Sequence, residues 1–278
     1  MSDTQLINVQ SSKQAEELQQ LCRPGDNVLW VASSGGHLAE AKKLHDMMLN
    51  EFTSTWLTFD NEQSRSLLAG ARVETVDYVK PRGLVGMAKA GFTARRLLSS
   101  EKFDLVISTG AAVAVPFLIE AAARGIRTIY MESLTRTAGP SLTGKIAKFI
   151  PGVQTYCQYE SWSDEKWQFA GSILDGWEVD HVSANADHDS PLLALVSLGT
   201  IRPYRFDRAV DSLKKVLAVT DQTTWQLGAT TRQDISEPCH ESLAWKELGG
   251  SSMILRSIYA MPALALCSSH WNAEKFRS

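Results

Sequence analysis

The sequence predicts a doubly wound α/β protein, with one complete parallel-sheet domain followed by the start of a second. Three observations carry this. Short apolar runs alternate with longer stretches of 3.6-residue periodicity, the arrangement of strands wrapped by helices. The turns that join run to helix hold Gly, Ser and Thr, the residues of tight connections. The chain has 278 residues, 44% hydrophobic and 21% charged, so it can bury a real core and is neither disordered nor fibrous.

The elements follow in order. Asn27–Ala32 (NVLWVA) reads as a buried strand and Leu38–Asn50 as an amphipathic helix. Thr53–Phe59 is a second strand, with a short helix near Gln63–Ala69 and a third strand at Val73–Val76. Leu84–Ser99 reads as a helix and Asp104–Ser108 as a strand. Gly110 opens an apolar helix that ends at Arg124-Gly125, where glycine suits the position just past a helix. Arg127–Met131 is a strand, Pro140–Ile150 a helix stopped by Pro151, and Val153–Cys157 closes the series. The polar, acidic stretch around residues 179–190 reads as a linker between domains at 26–178 and 191–235. Beyond the linker come a strand (LLALVS), a helix from Phe206 to Ala218 and a strand at Thr224–Leu227. Residues 1–25 form a polar N-terminal segment, and 236–278 form an atypical tail.

Composition excludes several classes. A formal charge of -3 is too mild for a nucleic-acid binder. Cys22, Cys157, Cys239 and Cys267 are too scattered for a zinc site or a disulfide framework, which suits a reducing cytoplasm. The N-terminal segment lacks the apolar core of a signal peptide, and the apolar run Ala111–Ala123 is too short to span a bilayer. Any membrane contact is expected at the surface.

The chemistry gathers in the loops after strands. Ser33-Ser34-Gly35-Gly36-His37 joins the first strand to its helix. Free amides at a helix N-terminus, backed by the helix dipole, attract anions, and glycine admits a diphosphate to the backbone. The spacing fits neither the dinucleotide nor the nucleoside-triphosphate fingerprint. His37 adds a group able to take a proton from an attacking hydroxyl. A plain strand–helix turn with a capping histidine explains the loop equally well. Thr109-Gly110-Ala111-Ala112 is a second small-residue loop on the same edge of the sheet, and alone it is better explained by helix–sheet packing. Glu132-Ser133 ends a third strand; Glu132 suits sugar hydroxyls, although a structural salt bridge is the commoner fate of such a residue.

Lys80, Arg82, Lys89, Arg95 and Arg96 share a segment with Leu84, Val85, Met87 and Phe92 and no acid, a surface suited to anionic lipid or to an ordinary solvated face. Trp162, Trp167 and Trp177 fit packing at a domain junction better than sugar stacking. Asp187-His188-Asp189 imitates a metal-binding D-x-D motif but sits in the linker, so no metal is expected.

Together SSGGHLAEAKKL, DLVISTGAAVAVPFLIEAAARGIRTIYMES, SLTGKIAKFI and VQTYCQY resemble the acceptor-side subunit of the dolichol- and polyprenol-linked N-acetylglucosaminyltransferases and its bacterial exopolysaccharide relatives. The sequence is similar, more distantly, to the lipid-intermediate N-acetylglucosaminyltransferase of peptidoglycan synthesis. The resemblance spans about residues 26–178. LLALVSLGTIRPYRFDRAVDSL and TTWQLGATT resemble the start of the partner catalytic domain. The resemblance implies a fusion of the two subunits in the two-domain, Rossmann-like architecture called GT-B. It also implies inverting, metal-independent transfer with no cofactor beyond a UDP-sugar donor, UDP-N-acetylglucosamine being one candidate. The acceptor would be a polyprenyl-diphosphate-linked glycan at the inner face of the plasma membrane, met by a cytoplasmic, peripheral protein.

In that scheme His37 is the catalytic base or acceptor positioner. Ser34, Gly35, Gly36, Gly110, Ala111, Glu132 and Ser133 hold phosphate or glycan, Gly199 and Thr200 face the donor, and Lys80, Arg82, Lys89, Arg95 and Arg96 face the membrane. After about Asp234 the pattern departs: His270 is followed by Trp, Asn and Ala where the family's donor loop has glycines. A truncation or frame change near residue 236 is the expectation this raises. It keeps open a second function, a non-catalytic acceptor-binding scaffold that recruits a separate donor-domain protein.

Overall fold

The computed structural model describes residues 17–79, 83–176, 193–198, 205–217, 222–227, 230, 232, 234–235 and 239–240. The chain divides into two compact units, Met1–Val179 and Asp180–Ser278. The first holds a seven-stranded parallel sheet: β1 (Asn27–Ala32), β2 (Thr53–Thr58), β3 (Arg72–Thr75), β4 (Leu105–Gly110), β5 (Arg127–Met131), β6 (Val153–Cys157) and β7 (Trp167–Phe169). Their spatial order is β3-β2-β1-β4-β5-β6-β7. The order reverses between β1 and β4, so the sheet is doubly wound as expected.

Five helices join these strands: α1 (Gly36–Met47), α2 (Glu62–Leu67), α3 (Leu84–Ser100), α4 (Ala114–Ala123) and α5 (Leu142–Ala147). Right-handed crossovers place α1 and α2 on one face and α3, α4 and α5 on the other. Alternation along the strands feeds both layers. Leu29, Val31, Leu57 and Val106 pack under Ala90, Ala94, Leu97 and Leu98 of α3 and Phe117 and Ala121 of α4. On the opposite face Trp30 stacks on Trp56 at 5.4 Å, and the His45 ring of α1 meets Trp30 edge-on.

The helix ends follow local chemistry. Asn61 and Ser64 form a reciprocal capping box at α2, and the Ser141 hydroxyl caps α5 by accepting from Gly144 N at 3.0 Å. At the end of α4, Gly125 takes φ 72°, Gly125 N donates to Ala122 O and Ile126 N to Ala121 O. Those two bonds satisfy the last carbonyls, as the Arg124-Gly125 pair suggested.

Several expectations are corrected. α1 starts at Gly36, two residues before the first apolar position, because Gly35 supplies the turn into it. Gly110 is the last residue of β4, and α4 begins only at Ala114. β6 does not close the series, since β7 pairs beyond it in parallel. Trp162 and Trp167 pack within the first unit. Trp167 lies in the core of the first unit against Tyr130, with Trp162 edge-on to it at 5.3 Å.

The second unit, taken by itself, contains β8 (Leu193–Ser197), α6 (Asp207–Val216), β9 (Gln222–Gln226) and β10 (Cys239–His240). The strands are parallel in the order β10-β9-β8 around Val196, Val210, Trp225 and Leu227. The tail other than residues 239–240, the linker, Trp177 and Asp187–Asp189 lie outside the described residues.

Candidate functional site

The carboxyl ends of β1, β4 and β5 lie side by side, and the loops that leave them interlock. Ser33 N donates to Gly110 O at 2.9 Å, joining the first loop to the second. Gly35 adopts φ 93° and ψ -145°, a conformation open to glycine, and precedes α1 with no side-chain cap. The amides of Gly36, His37 and Leu38 have no acceptor among the described residues. Gln63 of α2 holds the turn from outside: Gly35 N donates to its Oε1 at 2.6 Å, and its Nε2 donates to Gly35 O at 3.1 Å. Ser34 is buried and Gly36 exposed, so the open side of the turn is the glycine and its following amides.

His37 stands on the first turn of α1. The Thr109 hydroxyl donates to its carbonyl oxygen at 2.7 Å, and its ring lies over Gly110. A methyl group added to Gly110 would come within 3.0 Å of His37 Cε1 and 3.1 Å of Nδ1. The space that the small residue leaves is thus taken by the imidazole, not by a ligand. Ala111, half-buried, begins the turn into α4. Burial of the ring pushes the His37 pKa below its usual 6.5, and a hydrogen bond to the Thr109 backbone works in the other direction. The ring is therefore uncharged at neutral pH, and its Nδ1 is buried without a partner among the described residues.

Glu132 is only 1% exposed and fully engaged within the protein. Its Oε1 accepts from Tyr130 OH at 3.2 Å and Ser133 N at 3.2 Å; its Oε2 accepts from Ser141 N at 2.9 Å and Ser141 Oγ at 3.0 Å. Those donors occupy the positions that sugar hydroxyls would need, and Glu132 forms no salt bridge among the described residues either. Burial raises the Glu132 pKa, while the Ser141 bonds hold it down. Ser133 turns its hydroxyl to Glu40 of α1, donating to Oε1 at 2.8 Å. Neither Glu40 nor Gln63 stands out in the sequence, because each owes its place to a partner far along the chain.

Lys89, Arg95 and Arg96 are exposed on α3, beside Val85 and Phe92, each 74% exposed. On the same helical face, α5 and the residues after it expose Leu142, Ile146 and Phe149, the last by 82%, with Ile119 of α4 between. This apolar extension escaped the sequence reading. Met87 instead packs against the core. Lys80, Arg82, Gly199 and Thr200 lie outside the described residues. No helix among the described residues is long and apolar enough to cross a membrane.

No family model matches the chain. In the S. aureus MnaA–UDP co-structure the alignment covers 82% of this chain and 67% of that one, at TM-score 0.51 and 11% identity. The chain shares its fold. The first unit is thus a Rossmann-like α/β domain, and the expected fold class holds for it. MurG of Acinetobacter baumannii aligns over 73% of this chain and 58% of its own, at TM-score 0.46 and 19% identity. Among curated proteins, the UDP-N-acetylglucosamine–N-acetylmuramyl-(pentapeptide) pyrophosphoryl-undecaprenol N-acetylglucosamine transferase of Synechococcus sp. (strain CC9311) is 31% identical over 118 residues. That match takes in 38% of this chain and spans 32% of the relative's length.

Proposed function

We propose that the first unit binds a phosphate-bearing acceptor at the N-terminus of α1, as the acceptor side of a glycosyltransferase. The reading covers transfer of a sugar from a UDP-sugar, UDP-N-acetylglucosamine in the first instance, to a polyprenyl-diphosphate-linked glycan. The observation that carries it is the uncapped turn of α1 with an uncharged His37 on its first turn. The 31% identity to a transferase of that substrate class supports it.

In this reading the amides of Gly36, His37 and Leu38, with the dipole of α1 behind them, hold the acceptor's diphosphate. Neutral His37 takes the proton of the acceptor hydroxyl as its oxygen bonds to the sugar's anomeric carbon. The bond from that carbon to the diphosphate of UDP breaks, and its electron pair leaves with UDP. Attack from the face opposite UDP inverts the anomeric centre. Neither a metal nor a cofactor is required.

Titration calorimetry of the full chain with UDP-N-acetylglucosamine and with geranyl diphosphate, a short soluble prenyl diphosphate, tests this. Saturable binding of both is the expected result. Binding of geranyl diphosphate alone would make the chain an acceptor-side module that needs a separate donor-binding protein. Silence with geranyl diphosphate would remove the phosphate site.

The exposed apolar and basic residues of α3 and α5 face an anionic lipid surface in this reading, at the cytoplasmic side of the membrane. The chain is expected to sediment with phosphatidylglycerol vesicles and several-fold less when Phe92 and Phe149 are both replaced by serine. Equal sedimentation of the two proteins would exclude this face.

A further inference from the structure

Glu40 lies one turn into α1, three residues after His37, with 5% of its surface exposed. Helical side chains lean toward the N-terminus of their helix, so its carboxyl is directed back over the turn that carries Gly36 and His37. One carboxyl oxygen accepts from Ser133 Oγ at 2.8 Å. The other, Oε2, is closed off from solvent and has no hydrogen-bond partner among the described residues. Buried polar atoms without a partner are few in native proteins, and each one calls for a cause. A carboxylate here would carry an unsatisfied charge; a carboxylic acid would hold an O–H donor with nothing to donate to.

We propose that Glu40 is a ligand-binding group, a carboxylic acid that Ser133 orients and whose free oxygen donates a hydrogen bond to a phosphate or hydroxyl oxygen of the bound acceptor. The proposal rests on the phosphate reading of the α1 turn. It adds a neutral donor to a site otherwise built from backbone amides. A neutral donor matters beside a diphosphate, since an ionised glutamate in the same place would repel it.

Burial and the neighbouring carboxyl of Glu132 keep the Glu40 proton in place, against the hydrogen bonds of the following turn. On its own helix stands His37, itself uncharged. From β5 come Tyr130 and the buried carboxyl of Glu132. The following turn brings Ser133, with Thr135 bonded to its hydroxyl, and the Leu134 amide; Tyr159, whose hydroxyl donates to Leu134 O, lies within reach of the Glu40 charge. Burial has the largest effect and raises the Glu40 pKa, Ser133 and the Leu134 amide lower it, and Glu132 raises it again, to about 8 in all. Below that pH the acid is intact. As the pH rises through it, the donor is lost and a negative charge appears beside the ligand.

The test is calorimetric titration of geranyl diphosphate into the full chain and into Glu40→Gln between pH 6 and pH 9. If only the protonated form binds, the wild-type Kd rises about tenfold by pH 9, the inverse of the competent fraction. Glu40→Gln keeps an N–H donor, cannot titrate, and is expected to lack that rise. The probe's own ionisation is common to both proteins. A second variant, Ser133→Ala, leaves the acid in place but removes a bond that favours its ionised form, so its binding should weaken overall while the rise in Kd moves to higher pH. A pH course in Glu40→Gln that follows the wild type would overturn the role of Glu40 and leave the diphosphate site standing. Absence of wild-type binding at every pH would remove the diphosphate site, and the role of Glu40 with it.

Discussion

In the transfer proposed above, replacing His37 by alanine is expected to lower the rate by about 10² to 10⁴, the range for loss of a positioned proton acceptor. The size of the effect follows from how the ring is held. It is fixed over Gly110, its backbone is bound by the Thr109 hydroxyl, and burial keeps it uncharged. Because its folded pKa lies below 6.5, the base is competent at neutral pH and is lost only as the pH falls through that lowered value. Turnover in the wild type should therefore fall on the acid side, below about pH 6.5. In His37→Ala the residual rate should not show that acid limb. Steady-state turnover with UDP-N-acetylglucosamine and a prenyl-diphosphate-linked acceptor across pH 5–8 reads both quantities. Full turnover in the variant would take His37 out of the reaction.

Gly144→Ala carries the largest expected loss of stability, about 3–5 kcal/mol from overpacking and broken buried hydrogen bonds. A methyl group at Gly144 would overlap Oε2 of Glu132, and it would press on Trp167 at 3.0 Å and Pro140 at 3.2 Å. A glutamate side chain ordinarily yields, but this one accepts four hydrogen bonds and Trp167 is 1% exposed. Moving Glu132 would strip the bonds from Ser141, which caps α5. Urea unfolding of the two proteins gives the difference directly, and a change under about 1 kcal/mol would show that the Glu132 bracket is soft.

Much of the fold was legible because β1, β5 and β6 are runs of β-branched, aromatic and aliphatic residues bounded by turns, and their limits fell where expected. β7 was not legible. Its three residues, Trp167–Phe169, are too few to show alternation, and the pairing with Thr155–Cys157 defines it. The start of α1 was missed because apolar periodicity begins at Leu38, whereas the helix begins where Gly35 turns the chain.

The candidate site divides in the same way. The glycine turn and His37 are local signals and could be read directly. Glu40 could not, because its partner Ser133 lies 93 residues away and a glutamate on an amphipathic helix ordinarily faces solvent. Gly110 reads as a packing residue by itself and as a phosphate contact through the resemblance, because nothing local to it names His37, 73 positions earlier, as the occupant of the space beside it. Glu132 was noticed, but its four internal donors depend on the path of the chain from Tyr130 to Ser141.

The strand order has a kinetic consequence. β1 lies inside the sheet, and its partner on one side, β4, arrives about 77 residues later, as the Ser108–Val31 bond spans. During synthesis β1, β2 and β3 can associate first, but the edge of β1 that will meet β4 stays unpaired until Leu105–Gly110 has emerged. That edge presents unpaired backbone N–H and C=O groups, flanked on the two faces by Val, Leu and Trp side chains, and closing so long a loop is slow. The nascent chain therefore passes through an interval in which its most apolar strand has an open ladder, the condition under which strands of neighbouring chains pair with one another.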